Sequence, residues 1–119
     1  MAAPNLKSLT TVTAKMVTYS CTSSLSSVLA NGAASGKVYK INNIRAANID
    51  ATSTFSVDAT IYRSSTHTYL ANAIAVPVNS ALIIVSKEEY LYLEEGDAIY
   101  AKGSTAAKID LTISYEEIS

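Results

Sequence analysis

The chain has 119 residues, 49% of them hydrophobic and 16% charged, with a formal net charge of -1. That length holds one domain with a proper core, and the composition is that of a globular chain and not of a disordered one. Its nine Lys and Arg are scattered among ten Asp and Glu, the only close cluster being Lys37, Lys40 and Arg45. Nucleic acid is therefore excluded as a partner, because a phosphate backbone needs clustered cations to release its counterions.

The opening "MAAPNLKSL" (residues 1–9) has neither alternation nor the charged-then-apolar build of a signal peptide. It is predicted to be a flexible N-terminal arm, followed by a single β-sandwich domain over 10–119. The lone Cys21 excludes an internal disulfide and reads as a small, partly buried residue. "NGAASG" (31–36) opens on Asn-Gly and closes on Gly, a strong turn signal. In "KVYKINNIRAAN" (37–48), Tyr39 and Ile41 share a face while Ile44 falls on the other. One extra residue at Asn42–Asn43, a β-bulge, restores the register.

Further along, period two dominates. "STFSVDATIY" (53–62) sets Phe55, Val57, Ala59 and Ile61 against Ser56, Asp58 and Thr60, with Tyr62 on the polar side. "THTYLANAIAV" (66–76) is the best helical candidate, yet its β-branched end and the following Pro77 favour a strand. The longest apolar run, "ALIIV" (81–85), falls far short of the ~20 residues a bilayer crossing needs, so no membrane partner is expected. "AKIDLTISYEEI" (107–118) sets Ile109, Leu111, Ile113 and Tyr115 against Asp110, Thr112 and Ser114. Turn signals at 48–53, 63–67, 77–80, 86–89, 94–97 and 102–106 separate these segments. About eight short antiparallel strands are predicted, which is an all-β, jelly-roll-like sandwich, with a seven-strand immunoglobulin-like sandwich as the alternative.

The one stretch that invites a chemical reading is "YLYLEEGDAIYAKGS" (90–104), with three carboxylates in four residues. A calcium loop spaces its acids at alternate positions, whereas Glu94, Glu95 and Asp97 crowd around Gly96, and only distant Asn48 and Asp50 would add ligands. An acid–base pair needs an environment that separates two pKa values, and a wet turn supplies none. The stretch is read instead as a structural turn, with Gly96 at positive φ, Asp97 bonding local amides, and Leu91, Leu93 and Ile99 pointing into the core. His67 is the only histidine, so no multi-histidine metal site is expected, and its predicted place is a solvated loop. With no G-x-S-x-G elbow and only four glycines, neither a nucleophile motif nor a phosphate loop is present. No catalytic residue, metal or cofactor is assigned. Eight tyrosines remain, of which Tyr62, Tyr90, Tyr92 and Tyr100 are candidate interface residues. Tyr90, Tyr92 and Tyr100 are expected to share one outward face, and sugar stacking is an alternative use of it.

"GKVYKINNIRAANID" with "VPVNSALIIVSKEEYLYLEEGDAIYAKGSTAAKIDLTISYEEI" resembles a group of small β-sandwich structural proteins of tailed bacteriophages. The resemblance covers about residues 36–118 and rests on Pro77, Leu93, Glu95, Gly96, Asp97, Tyr115 and Glu116. It implies a non-enzymatic virion component assembled in the host cytoplasm. Such a component would be a capsid decoration (cement) protein, a homo-oligomer bound to the major capsid protein or other virion proteins. A tail, neck or fibre module that binds a receptor or glycan is the alternative.

Overall fold

The computed structural model describes residues 11–119, and the arm predicted over 1–9 lies outside the described residues. Nine strands follow one another: β1 (Val12–Ser20), β2 (Ser26–Ala30), β3 (Val38–Asn48), β4 (Phe55–Arg63), β5 (Thr66–Val76), β6 (Ala81–Val85), β7 (Leu91–Leu93), β8 (Ala98–Gly103) and β9 (Ile109–Ile118). All pairings are antiparallel. The first sheet runs β1-β9-β3-β6, with β7 paired to the opening of β3, and the second runs β2-β8-β4-β5. Because β6 and β7 share one place beside β3, the nine strands fill the eight positions of a jelly roll. The immunoglobulin-like alternative, with its seven strands, does not fit this order.

Alternation explains how the two sheets close on each other. Ile109, Leu111 and Ile113 of β9 meet Val57 of β4 and Ile99 and Ala101 of β8 in one buried core. Each large aliphatic side chain in it contributes about 2 kcal/mol relative to leaving it in water. The bulge predicted in β3 is there. Pairing with β9 steps from Ile41↔Tyr115 to Asn43↔Ser114, which leaves Asn42 as the extra residue. Asn42 donates its side-chain amide to Glu116 (2.8 Å), and Ile41 and Ile44 both reach the core.

The segment 66–76 is a strand and not a helix. It too is irregular: Ala73 sits at φ 51 and donates its amide to the Asp58 carboxylate at 2.8 Å. The β4–β5 hairpin turns on Ser64 and Ser65, both with positive φ (51 and 60), the twist a two-residue turn needs to match right-handed strands.

Deleting Asn42 is expected to leave the fold intact, since the bulge is the residue the ladder does not need. The cost should be about 1 kcal/mol, for the lost side-chain hydrogen bond. Deleting Arg45 is expected to unfold the protein, because Ala46 and Asn48 would then turn to the wrong face. Urea denaturation of the two deletion variants checks the contrast.

Candidate functional site

Four residues, Glu94 to Asp97, carry the chain from β7 in the first sheet to β8 in the second. Gly96 takes φ +88, a conformation L side chains rarely adopt. Asp97 is only 3% exposed and closes the turn twice: its amide donates to the Glu94 carbonyl (3.0 Å), and its carboxylate accepts the Glu94 amide (2.8 Å). Arg63, at the end of β4, grips the same carboxylate through Nε (2.9 Å) and Nη2. Its Nη2 also lies 3.0 Å from Glu94 Oε2. Glu95 reaches across and accepts the Gly36 amide at 2.9 Å.

Asn31 completes the corner from below. Its backbone exchanges hydrogen bonds with Gly96 and Asp97 (2.9 Å each). Its side-chain amide donates to the carbonyls of Lys37 (2.9 Å) and Leu93 (3.0 Å), and Ser35 Oγ donates back to Asn31 Oδ1 (2.6 Å). Asp97 and Glu95 are thus engaged by amides or a guanidinium, and Glu94 pairs with Arg63. The shallow depression here, lined by Arg63, Ser64, Glu94, Glu95, Gly96 and Asp97, opens to solvent, and its Glu94 and Asp97 carboxylates share Arg63 Nη2 between them. Among the described residues no group of His, Cys, Asp or Glu is placed to hold a metal ion.

Asn48 and Asp50 stand at the far end of β3 from Gly36, so they add nothing to the corner. They organise their own loop. Asn48 donates to Ser53 O and Val76 O, and Asp50 accepts the amides of Thr52 and Ser53 and the Lys108 ammonium. The Thr52 amide first, then Lys108, holds the Asp50 carboxyl well below the usual range.

The tyrosines divide between two faces, against the expectation that Tyr90, Tyr92 and Tyr100 share one. Tyr92 pairs with Lys40 on the first sheet and lies edge-on to Tyr90 (5.5 Å between ring centres), over which Lys40 Nζ sits at 4.4 Å. Tyr100 is on the second sheet with Tyr62 (5.1 Å). The separation arises because the corner moves the chain from one sheet to the other, which parity along one strand cannot register. His67 is likewise not on a loop. It is the second residue of β5, half-buried, 4.6 Å from Tyr62 and 4.9 Å from Tyr100, with Nδ1 2.8 Å from Thr60 Oγ1. The cross-strand pair Tyr62↔His67 puts it there.

At the open end of the sandwich Glu117 falls on the core-facing side of β9, where a lone carboxylate would be costly. Lys37 (2.6 Å) and Lys15 (3.0 Å) neutralise it. These two ammonium groups hold the Glu117 carboxyl below the usual carboxylate range, Lys37 contributing most, while Glu117 raises Lys15 in return. Cys21 is more deeply placed than the sequence suggests, 1% exposed, and burial pushes its thiol up to about 11.

Two expectations follow from these networks. Asp97→Ala should cost about 2 kcal/mol, because it strands the Glu94 amide and releases Arg63. Gly96→Val should cost about 1–3 kcal/mol from backbone strain alone, since an added Cβ meets nothing within 4 Å. Unchanged unfolding midpoints in both would contradict the structural role. The second expectation concerns pH. A carboxyl whose folded pKa lies below its unfolded one stabilises above the unfolded value and loses that stabilisation as pH falls through the folded value. Calorimetry of Glu117→Gln should therefore show a shallower loss of Tm on acidification below about pH 4.5 than the parent chain.

No family model matches the chain, and no curated protein does. Among solved structures it is similar to a Bacillus endospore appendage, one of a family of disulfide-linked pili, with a TM-score of 0.54 and 13% sequence identity. The likeness covers 98% of this chain and 95% of that one, and at this identity it is a likeness of fold.

Proposed function

We propose that the chain is a non-enzymatic structural subunit that acts by self-association and by contact with other structural proteins. The setting its sequence resemblance implies is a tailed-phage virion, where it decorates the capsid and reinforces the shell through copies of itself and the major capsid protein. One observation carries the reading: large apolar side chains stand uncovered on the outer side of the first sheet. Met16 is 63% exposed and Ile83 59%, at opposite edges of that sheet, with Val12 and Tyr92 also exposed. In this reading they are the groups through which that face and its edges meet other proteins. The pilus subunit that shares the fold supports the self-associating part. This chain would associate without disulfides, because its single cysteine is buried.

The ring cluster of Tyr62, His67 and Tyr100, beside exposed Tyr69, favours a second reading as a tail, neck or fibre module that stacks on a glycan. One measurement separates the two readings. Quantitative mass spectrometry of purified virions is expected to give copies in a simple ratio to the major capsid protein. A few dozen copies or fewer, with glycan-array binding lost in Tyr100→Ala, would favour the second reading, and complete absence would overturn the virion setting.

A further inference from the structure

We propose that β1 is an assembly edge at which two copies of this chain pair antiparallel about a two-fold axis at Met16, joining their first sheets into one. The inference rests on the self-association reading above and names the surface that association uses.

The hydrogen bonds fix which side of β1 is free. Thr11 and Ser119 exchange both backbone bonds (2.8 and 2.9 Å), and at the other end Cys21 donates to Ile109 and accepts from Ala107. Between them the register with β9 is unbroken, from Val12↔Ile118 to Ser20↔Asp110. In such a ladder the bonded residues alternate, so the odd-numbered residues of β1 face β9. The N–H and C=O groups of Val12, Ala14, Met16, Thr18 and Ser20 therefore point away from it, and among the described residues nothing pairs with them.

Edges of this kind are normally guarded by a charge, a proline, a bulge or brevity. The other edges here have such guards. β5 pairs through two register shifts, β2 has five residues and a shift, and β6 and β7 have five and three residues. β1 has nine residues, no bulge and no proline, and its one charge, Lys15, is held by Glu117 on the core-facing side.

A second copy fits because the free groups are self-complementary. With Met16 opposite Met16, Ala14 meets Thr18 and Val12 meets Ser20, so free residues face free residues along the whole strand. About ten backbone hydrogen bonds form. The two Lys15 side chains each fall opposite Val17 of the other copy, so no like charges are apposed. Met16 and Val12, 63% and 47% exposed, gain cover on the outer face.

The test uses the full chain in a Cys21→Ala background. Under mild oxidation Met16→Cys should give a disulfide dimer, since directly opposed bonded residues lie within the span a disulfide bridges. Ala14→Cys or Thr18→Cys alone should give none, and the two together should. Met16→Pro removes a free amide without touching the β9 ladder, so it should weaken association at least tenfold while the dilute monomer keeps its Tm. Association of the parent chain without Met16→Cys dimers, or unaltered association in Met16→Pro, overturns β1 pairing and leaves self-association standing. A parent chain that sediments as a monomer at every concentration overturns both. Slow hydrogen exchange at Ala14 and Met16 in that monomer would assign the edge to the chain's own residues 1–10.

Discussion

A carboxylate withdrawn from water must find hydrogen-bond donors or give up its charge. Asp97 meets that demand with the Glu94 amide and the forked guanidinium of Arg63, and in doing so holds the corner through which the chain passes from one sheet to the other. The corner it closes is where the chain leaves one sheet for the other, and Arg63 belongs to a strand of the second sheet. One side chain thus ties the end of β7, through the Glu94 amide, to the end of β4, through Arg63, where the chain enters β8. The arrangement avoids the usual penalty of a buried ion pair because Arg63 itself remains half in water.

The polar side chains at the rims are similarly occupied. Asn31 serves the corner, Asn48 the far loop, and Glu117 with its two lysines the open mouth, so that no buried side-chain nitrogen or oxygen is without a partner among the described residues. What this leaves for contact with other molecules is the flat outer faces and the edges. Those surfaces carry hydroxyls, alanines and a few bare apolar groups, which desolvate at small cost.

The strands were legible because alternation is a local signal. β9 reads directly from Ile109, Leu111 and Ile113, and the bulge in β3 from the parity clash between Ile41 and Ile44. The corner was legible as a turn, since Gly96 and Asp97 state their roles within four residues. Its partners were not. Arg63 lies 34 residues away and Asn31 meets Leu93 across 62, distances at which no local pattern speaks. The same limit hid the pairing of His67 with Tyr62, whose rings meet only because a two-residue hairpin sets them opposite, and the split of the tyrosines between two sheets.

The order of the first sheet also governs when the protein can fold. β9 is the last of the described strands in chain order, yet it lies between β1, the first of them, and β3. Until it arrives, β1 has no neighbour among the described residues and β3 lacks its longest ladder. The β4–β5 hairpin and the β3–β6 pair can form early, but the closing step must bring together segments about a hundred residues apart, which makes folding slow. Among the described residues, β1 is therefore an unguarded strand with two open edges until β9 is made, and such strands can pair with one another. Expression temperature and the supply of chaperones, more than the stability of the finished sandwich, should then decide how much of this protein reaches its folded form.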